Sequence, residues 1–303
     1  MDASIIVCTY NRSNSLKDTL HSLRQQVVHK IQLKWELIVV DNNSNDTTPE
    51  VVKNLQQDWP ELSYLFEKSQ GLSHARNLGI ASAKGEFILF TDDDVLPESN
   101  WLETTIMGME KYQADACGGY IAPIWETPPP SWLTDRFYGF LAIKTDRVDD
   151  YFINNLKQVP FGANMAFRKS IFQKIGLFDT NRGRKGMTLA SGEDEELFER
   201  ILAAELIVVF LGQSRVHHKV ERFRLSKSYF RRWRFQTSSN IAQSIEISGD
   251  RRIFNIPLYL FPQLLRSIAR MLWCHLTQPA DEAFYREMIV CHFLGLMRGL
   301  YRL

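Results

Sequence analysis

Apolar positions in the first third of the chain recur with two alternating periods, which predicts strands and helices in turn. Residues 4–8, Ser-Ile-Ile-Val-Cys, are a short continuous apolar run of the kind a buried strand shows. Leu16, Thr19, Leu20 and Leu23 then repeat at helical spacing behind the cap candidates Ser13 and Ser15. A second strand over 35–40 ends in Asp41-Asn42-Asn43-Ser44, and a helix opens at Pro49. A short strand over 62–66, a helix over 72–83 and an apolar run over 86–90 follow. Strands alternating with helices predict a mostly parallel sheet in a Rossmann-like layer sandwich.

The pattern beyond residue 98 is less regular. It predicts a helix over 98–112, a strand over 114–122 and a Pro-rich loop over 125–132. A strand over 159–167, a flexible, basic, Gly-containing loop over 181–192, a helix over 195–204 and a strand over 206–211 come next. Residues 215–234 carry eight Lys/Arg against one Glu, interleaved with aromatics, and the remainder is helical. Two of these late helices are amphipathic. One carries Leu264, Leu265, Ile268, Met271 and Leu272, the other Met288, Ile289, Phe293, Leu294 and Met297. Residues 251–303 hold seven Arg and three Asp/Glu, a net of +4, which predicts docking on an anionic membrane or, equally, packing on the catalytic domain or a second subunit.

Composition narrows the class without naming it. The 303 residues are 45% hydrophobic and 23% charged, as in ordinary globular proteins, and the formal net charge of +1 gives no overall pull toward nucleic acid. Cys8, Cys117, Cys274 and Cys291 are scattered without metal spacing, as reduced cytosolic thiols are. The apolar run at the N-terminus is too short for a signal peptide, and the region 256–276 is broken by Pro262, Arg266 and Arg270, so it does not read as a spanning helix. A cytoplasmic enzyme, peripheral on the inner face of the plasma membrane, is the expectation.

Chemistry concentrates at Thr91-Asp92-Asp93-Asp94. Three like charges directly after a buried strand repel one another, and a divalent cation with hard oxygen ligands, Mg²⁺ or Mn²⁺, is the natural compensation. Carboxylates there also sit where open α/β sheets bind ligands. The alternative is a solvated turn capping the helix that follows. EF-hand spacing is absent, and neither a GxGxxG nor a P-loop follows the first strand.

Six segments in order resemble family 2 glycosyltransferases: Val7–Arg12 (VCTYNR), 39–44 (VVDNNS), 71–79 (GLSHARNLG), 91–94 (TDDD), 162–168 (GANMAFR) and 192–197 (GEDEEL). The likeness covers about residues 3 to 235. It implies a GT-A fold with a helical C-terminal appendage, a catalytic domain over 1–235 (nucleotide half 1–113, acceptor half 114–235) and an extension over 236–303. It further implies inverting transfer from a nucleotide-diphosphate sugar, best a UDP-sugar, to a hydroxyl acceptor on a glycan or lipid-linked glycan.

On the same resemblance Thr9, Tyr10, Arg12 and Asp41 border the base and ribose, Arg76 faces the diphosphate, and Asp92 and Asp93 belong to the donor site. Asp94 binds the metal most directly, with Asp92 beside it. His217 or His218 approaches the metal, and His218 aligns better. Gly162 and Asn164 fall in the acceptor region. Inversion needs a base opposite the leaving phosphate, and Asp194 at the opening of a helix, where the dipole favours an ionised carboxylate, is the choice, with Glu193 the runner-up. Both acids are also ordinary helix caps. A sugar nucleotidyltransferase is the competing enzyme, although it needs a Gly-rich loop where Thr9-Tyr10-Asn11-Arg12 stands. A binding module for anionic lipid or nucleic acid, built on 215–234, is the non-enzymatic alternative, and nucleic acid is not expected.

Overall fold

The computed structural model describes residues 1–29, 31–145, 147–186, 188–189, 191–242 and 251–301. The chain forms two compact units: Met1–Ile124, Ala142–Gly186 and Glu193–Lys219 make the first, and Trp125–Leu141, Met187–Gly192 and Val220–Leu303 make the second.

In the first unit β1 (Ala3–Thr9), α1 (Ser13–Arg24), β2 (Trp35–Asp41), α2 (Thr48–Gln56), β3 (Leu62–Phe66), α3 (Leu72–Ser82) and β4 (Phe87–Asp92) alternate as the periodicity predicts. A turn over Asp93 and Asp94 leads to β5 (Val95–Pro97) and α4 (Trp101–Lys111). Then come β6 (Ala116–Trp125), β7 (Tyr151–Phe152), β8 (Met165–Arg168), α5 (Ile171–Ile175), α6 (Glu193–Ala203) and β9 (Val208–Val220). The sheet runs β3-β2-β1-β4-β8-β6-β9-β5, with β7 beside β9. Its β1–β2, β1–β4 and β2–β3 pairings are parallel, and β8 joins β4 antiparallel.

Period-two alternation sends neighbouring residues to opposite faces. Ile5, Val7, Leu37, Val39 and Leu89 pack with Leu16, Leu20 and Val52 of α1 and α2 and with Trp101 and Ile106 of α4. Ile6, Ile38, Val40, Ile88 and Phe90 pack with Ala75 and Ile80 of α3 and with Leu197, Phe198 and Ile201 of α6. The sheet is therefore helix-covered on both faces. Register puts Thr9 opposite Asp41 and Cys8 opposite Asp92, so the carboxyl ends of three parallel strands finish at one level.

Several elements differ from the sequence expectation. The strand predicted over 159–167 starts only at Met165 and runs to Arg168, because Gly162–Asn164 makes a 3-10 turn whose first N–H goes to Asp194 Oδ2 at 2.9 Å and not to a ladder. The strand expected over 206–211 runs on to Val220, and α6 begins at Glu193, two residues early. In the predicted flexible loop over 181–192, the carbonyls of Arg182 and Arg184 accept bonds from Ser73 and Leu72. Leu189 donates to Gln236, while Met187 and Ala190 lie outside the described residues.

The second unit holds α7 (Lys227–Ile241), a hairpin of β10 (Arg252–Ile253) and β11 (Ile256–Pro257), α8 (Leu260–Thr277) and α9 (Ala280–Tyr301). Of the 236–303 segment, 243–250 and the last two residues lie outside the described residues. The Pro-rich segment is no free loop here: Trp132 stacks edge-on against Phe230 of α7 at 5.3 Å and Phe284 of α9 at 4.8 Å. Helix α9 presses on α7 so closely that a Cβ on Gly295 would stand 2.4 Å from the Phe235 carbonyl oxygen, and one on Gly299 2.3 Å from that of Ser239. Met288 is buried in that packing, so α9 does not present the free apolar stripe its sequence predicted. The basic stretch 215–234 likewise is not one solvated face. Its cations are divided between β9, a 3-10 turn over Arg222–Leu225 and α7, where Arg231 pairs with Glu287. That division removes the geometric basis for a binding module built on the stretch. No described helix is long and apolar enough to cross a membrane.

Candidate active site

Two acidic groups stand at the carboxyl ends of the parallel strands, each with its own arginine. The first is the Asp triplet at the end of β4. Thr9 Oγ1 donates to Asp93 Oδ2 at 2.7 Å, Arg12 Nε lies 3.4 Å from Asp93 Oδ1, and Arg12 Nη2 lies 3.1 Å from Asp94 Oδ2. The same Asp94 oxygen is 3.3 Å from Nε2 of buried His218. Alternation along β9 turns His217 the other way, to Glu98 at 3.2 Å.

Asp92 has no hydrogen-bond or ion-pair partner among the described residues. Burial, reinforced by the charge of Asp94, raises its pKa, and burial does the same for Asp93 despite Arg12. Asp93 and Asp94 thus meet Arg12 and His218 directly, while Asp92 feels the positive charges of Arg76, His218 and Arg184. The chemistry of these donors, hard oxygens from Asp92 and Asp94 and a nitrogen from His218, is of a kind that could hold a divalent cation. No three His, Cys, Asp or Glu side chains among the described residues form a ready cage, so such an ion completes its shell with substrate oxygens, as Mg²⁺ and Mn²⁺ do at phosphate sites.

The second group opens α6. Arg76 of α3, almost wholly buried, places Nη1 2.6 Å from Asp194 Oδ1 and 3.4 Å from Glu193 Oε1. Its guanidinium also packs over the rings of Phe178 (5.0 Å) and Phe90 (5.8 Å). Arg76, expected to face a diphosphate, here meets the two acids of α6 directly and also feels the charge of Asp92. Burial works against the charge on Arg76, but Asp194 and Glu193 more than offset it and hold Arg76 firmly protonated. Glu193 lies deeper, and burial together with Asp194 raises its pKa. Gly162 closes the group: a Cβ there would stand 2.0 Å from Arg76 Nη2.

Asp41 is fully buried. Its Oδ1 accepts from the Ser44 N–H at 2.8 Å and its Oδ2 from the Tyr64 hydroxyl at 2.7 Å, leaving one lone pair on each oxygen. The N-cap of α2 is Thr47, without a side-chain cap bond, and just ahead of it Asp46 Oδ1 accepts from Thr48 N at 3.0 Å. Tyr10 is half-buried in the loop after β1.

Asn164 requires a correction. Its Nδ2 donates to Ser214 O at 2.8 Å and Tyr120 O at 3.1 Å, and its Oδ1 accepts from Trp101 Nε1 at 2.9 Å. It is a buried cross-link of β6, β9 and α4, with nothing left to offer an acceptor. Sequence reasoning also missed the ties between the loops. The Asn11 N–H donates to Ser44 Oγ and its Oδ1 accepts from Asn45 N, while Asn42 donates to Ser69 O and accepts from Gly71 N. Asn residues flanking predicted strand ends were the available signal, since their side chains commonly bond to loop backbone. Cys8 stands among these groups, but burial pushes its thiol up to about 12, so it is neutral and not a nucleophile.

The family profile described as Glycosyl transferase family 2 matches residues 4–176, more than half of the chain. The glucosyl-dolichyl phosphate glucuronosyltransferase of Haloferax volcanii is 28% identical over 234 residues, which are 74% of this chain and 71% of that protein. Among solved structures, the mannosyltransferase PcManGT of Pyrobaculum calidifontis, in complex with GDP-Man and Mn²⁺, superposes with a TM-score of 0.61 over 98% of this chain and 85% of its own, at 18% identity. GalNAc-T7 with UDP, GalNAc and Mn²⁺ gives 0.59 over 82% of this chain and 52% of its own, at 19% identity.

Proposed function

The chain belongs to glycosyl transferase family 2 and has the GT-A fold, and on that premise we propose that it carries out inverting transfer of a sugar from a nucleoside-diphosphate sugar to a hydroxyl acceptor. One observation carries the reading: at one edge of the sheet, a cluster of three buried or partly buried carboxylates beside His218 and a separate carboxylate held by a buried arginine. The first group is suited to a metal-bound diphosphate, the second to a proton.

Asp92, Asp94 and His218 would hold a divalent cation, Mn²⁺ or Mg²⁺, which supplies charge neutralisation to a departing diphosphate. Arg12 and Thr9 fix Asp93 and Asp94 in place, and with Tyr10 they border the nucleoside. Asp41 keeps acceptor capacity for a base N–H, which supports uracil and hence a UDP-sugar. The titles of the two solved glycosyltransferases name UDP in one and GDP-Man in the other, so either base is available to this fold.

Asp194 is the general base. It lies in the first turn of α6, where the helix dipole favours an anion, and it is the more exposed of the two acids, 20% against 6% for the Glu193 side chain. Arg76 and the Gly162 N–H bind its two oxygens and fix its orientation. The acceptor oxygen attacks the anomeric carbon, and its proton passes to Asp194. The bond from that carbon to the phosphate oxygen breaks, and its electron pair leaves on the diphosphate. The relative named for glucosyl-dolichyl phosphate supports a lipid-linked glycan as acceptor.

Thermal-shift measurements with UDP, GDP and their sugars, with and without Mn²⁺, test the reading, because a ligand selective for the folded state raises Tm by mass action. A metal-dependent rise with UDP and a UDP-sugar is expected. No rise with any nucleoside diphosphate would overturn it.

A further inference from the structure

One apolar surface of the second unit is left uncovered by the described residues. Helix α8 runs for 18 residues and buries only Leu260 and Cys274. Leu265, Leu272, Trp273 and Leu276 are 67, 57, 64 and 85% exposed. At about 100° per residue, Leu265, Ala269, Leu272 and Leu276 fall in one narrow strip with Trp273 at its margin. Arg266 and Arg270 lie on the flank beside Trp273, both exposed. The side chains that the sequence assigned to the free stripe divide: Leu265 and Leu272 are on it, whereas Leu264, Ile268 and Met271 are partly covered. The hairpin ahead of α8 adds to the same apolar inventory. Phe254 and Asn255 form its turn, both with positive φ, and the Phe254 ring is 75% exposed beside Ile253 at 50%.

Charge identifies the occupant. From Arg251 to Gln278 there are four arginines (251, 252, 266 and 270) and no Asp or Glu. None of these four guanidiniums has an ion-pair partner among the described residues. Two of the three acids of α9 are engaged, Glu282 with Arg136 and Arg286, Glu287 with Arg231 and His275, and the third, Asp281, lines a cavity with Arg270 without an ion pair between them. A protein interface would bring carboxylates to four free arginines or leave them buried and unpaired, which is costly. An anionic lipid surface needs neither: headgroup phosphates meet the arginines while the leucines and aromatics enter the acyl boundary. Exposed Trp, Tyr and Phe suit that depth, being apolar rings that tolerate the headgroup layer.

We propose that α8 and the 252–257 hairpin form an interfacial membrane-docking surface, α8 lying in the plane of an anionic bilayer with Leu265, Leu272, Trp273 and Leu276 inserted. The strip from Pro262 to Leu276 is about 20 Å long, enough to lie on a bilayer and too short to cross one. The inference uses no residue of the candidate active site and stands whether or not the transfer reading does.

Flotation of the full chain with vesicles tests it, using phosphatidylcholine alone and phosphatidylcholine mixed with phosphatidylglycerol. The chain should float with the mixed vesicles, weakly with the neutral ones, and less as salt rises. Arg266→Gln/Arg270→Gln should weaken partitioning about fivefold per arginine. Leu272→Glu/Leu276→Glu should weaken it about a hundredfold or more, with an unchanged melting curve because both side chains are exposed. If that variant fails to fold, the arginine pair and loss of the Trp273 fluorescence shift in Trp273→Phe decide the matter. Absent flotation, or flotation indifferent to these substitutions, would overturn the proposal. So would a dimer in sedimentation that Leu272→Glu/Leu276→Glu splits without any vesicle binding, which would make the strip an interface between copies of the chain.

Discussion

Arg12 and Arg76 both stand among carboxylates at the carboxyl ends of the parallel strands, yet they occupy opposite environments. The Arg12 side chain is 27% exposed, on the loop after β1, and meets Asp93 and Asp94 at 3.1 to 3.4 Å. The Arg76 side chain is 3% exposed, seated on two phenylalanine rings, and meets Asp194 at 2.6 Å. At the first site Asp93 and Asp94 meet Arg12, Asp94 also meets His218, and the Asp92 side chain has no hydrogen-bond or ion-pair partner among the described residues. At the second, two carboxylates share a buried guanidinium and a helix N-terminus. One arrangement gathers three carboxylates at the end of a strand; the other holds Asp194 between a buried guanidinium and the Gly162 N–H. A glycosyl transfer needs both kinds of group, and the fold supplies them from different elements: the end of a strand and the start of a helix.

The largest separation should come from Asp94→Asn. If Asp94 binds the cation, calorimetric titration of UDP in Mn²⁺ should lose affinity to the same extent as adding EDTA does, and transfer should fall about a thousandfold or more. Asp93→Asn, which touches Thr9 and Arg12, should do much less. Binding that ignores both Asp94→Asn and EDTA would remove the metal from the first site and with it the contrast.

Asp194→Asn tests the second site. The amide keeps the size and an acceptor for Gly162 N–H but cannot take a proton. Donor binding should survive while transfer falls by about two to four orders of magnitude. Should Glu193→Gln give that pattern and Asp194→Asn not, the base is one residue earlier and Asp194 is the residue that holds Arg76.

Depth predicts the next effect. Arg76→Met leaves Glu193 and Asp194 buried without their cation and should cost about 3–5 kcal/mol in chemical denaturation. Arg12→Met also uncovers buried Asp93 and Asp94, but its own side chain is 27% exposed, so it should cost less, about 1–2 kcal/mol. Equal losses would mean that the two arginines do the same work after all.

These contrasts were unevenly legible in the chain. The parallel half was open to reading, because Ile5-Ile6-Val7, Leu37-Ile38-Val39 and Phe87-Ile88-Leu89 are apolar on both faces and a buried strand shows itself that way. The antiparallel half was not. The far part of β9 alternates Val216, His217, His218, Lys219 and Val220, which reads as a basic loop until its pairing with β5 is known. Motifs brought Arg76, Asp194 and Asp94 forward as candidates, but Arg76 on a helix says nothing of which partner it meets. Only the packing of α3 against α6 turns it inward. Asn164 was selected for its motif, although a polar side chain between two strands is as easily a cross-link. Helices α8 and α9 have similar apolar content, and only contacts with α7 show that one is covered and the other bare.

The smallest expected effect concerns the proton on Glu193. Burial and Asp194 raise its pKa to about 7, against the opposing pull of Arg76, while in the unfolded chain it stays near 4.3. Between those values the folded protein holds a proton that the unfolded chain has released, so the unfolded state binds fewer protons and stability falls as pH rises through the window. Below it both states are protonated and the contribution is flat. Glu193→Gln is neutral throughout and lacks this slope. Relative to the parent, its Tm should therefore climb from about pH 5 to about pH 8. Asp93 has a raised pKa too, so the parent curve contains both contributions and only the difference curve isolates Glu193. A difference curve that is flat across the window would mean Glu193 is ionised beside Arg76 at every pH. Both carboxylates of the second site would then be charged, and its contrast with the Asp triplet would rest on depth alone.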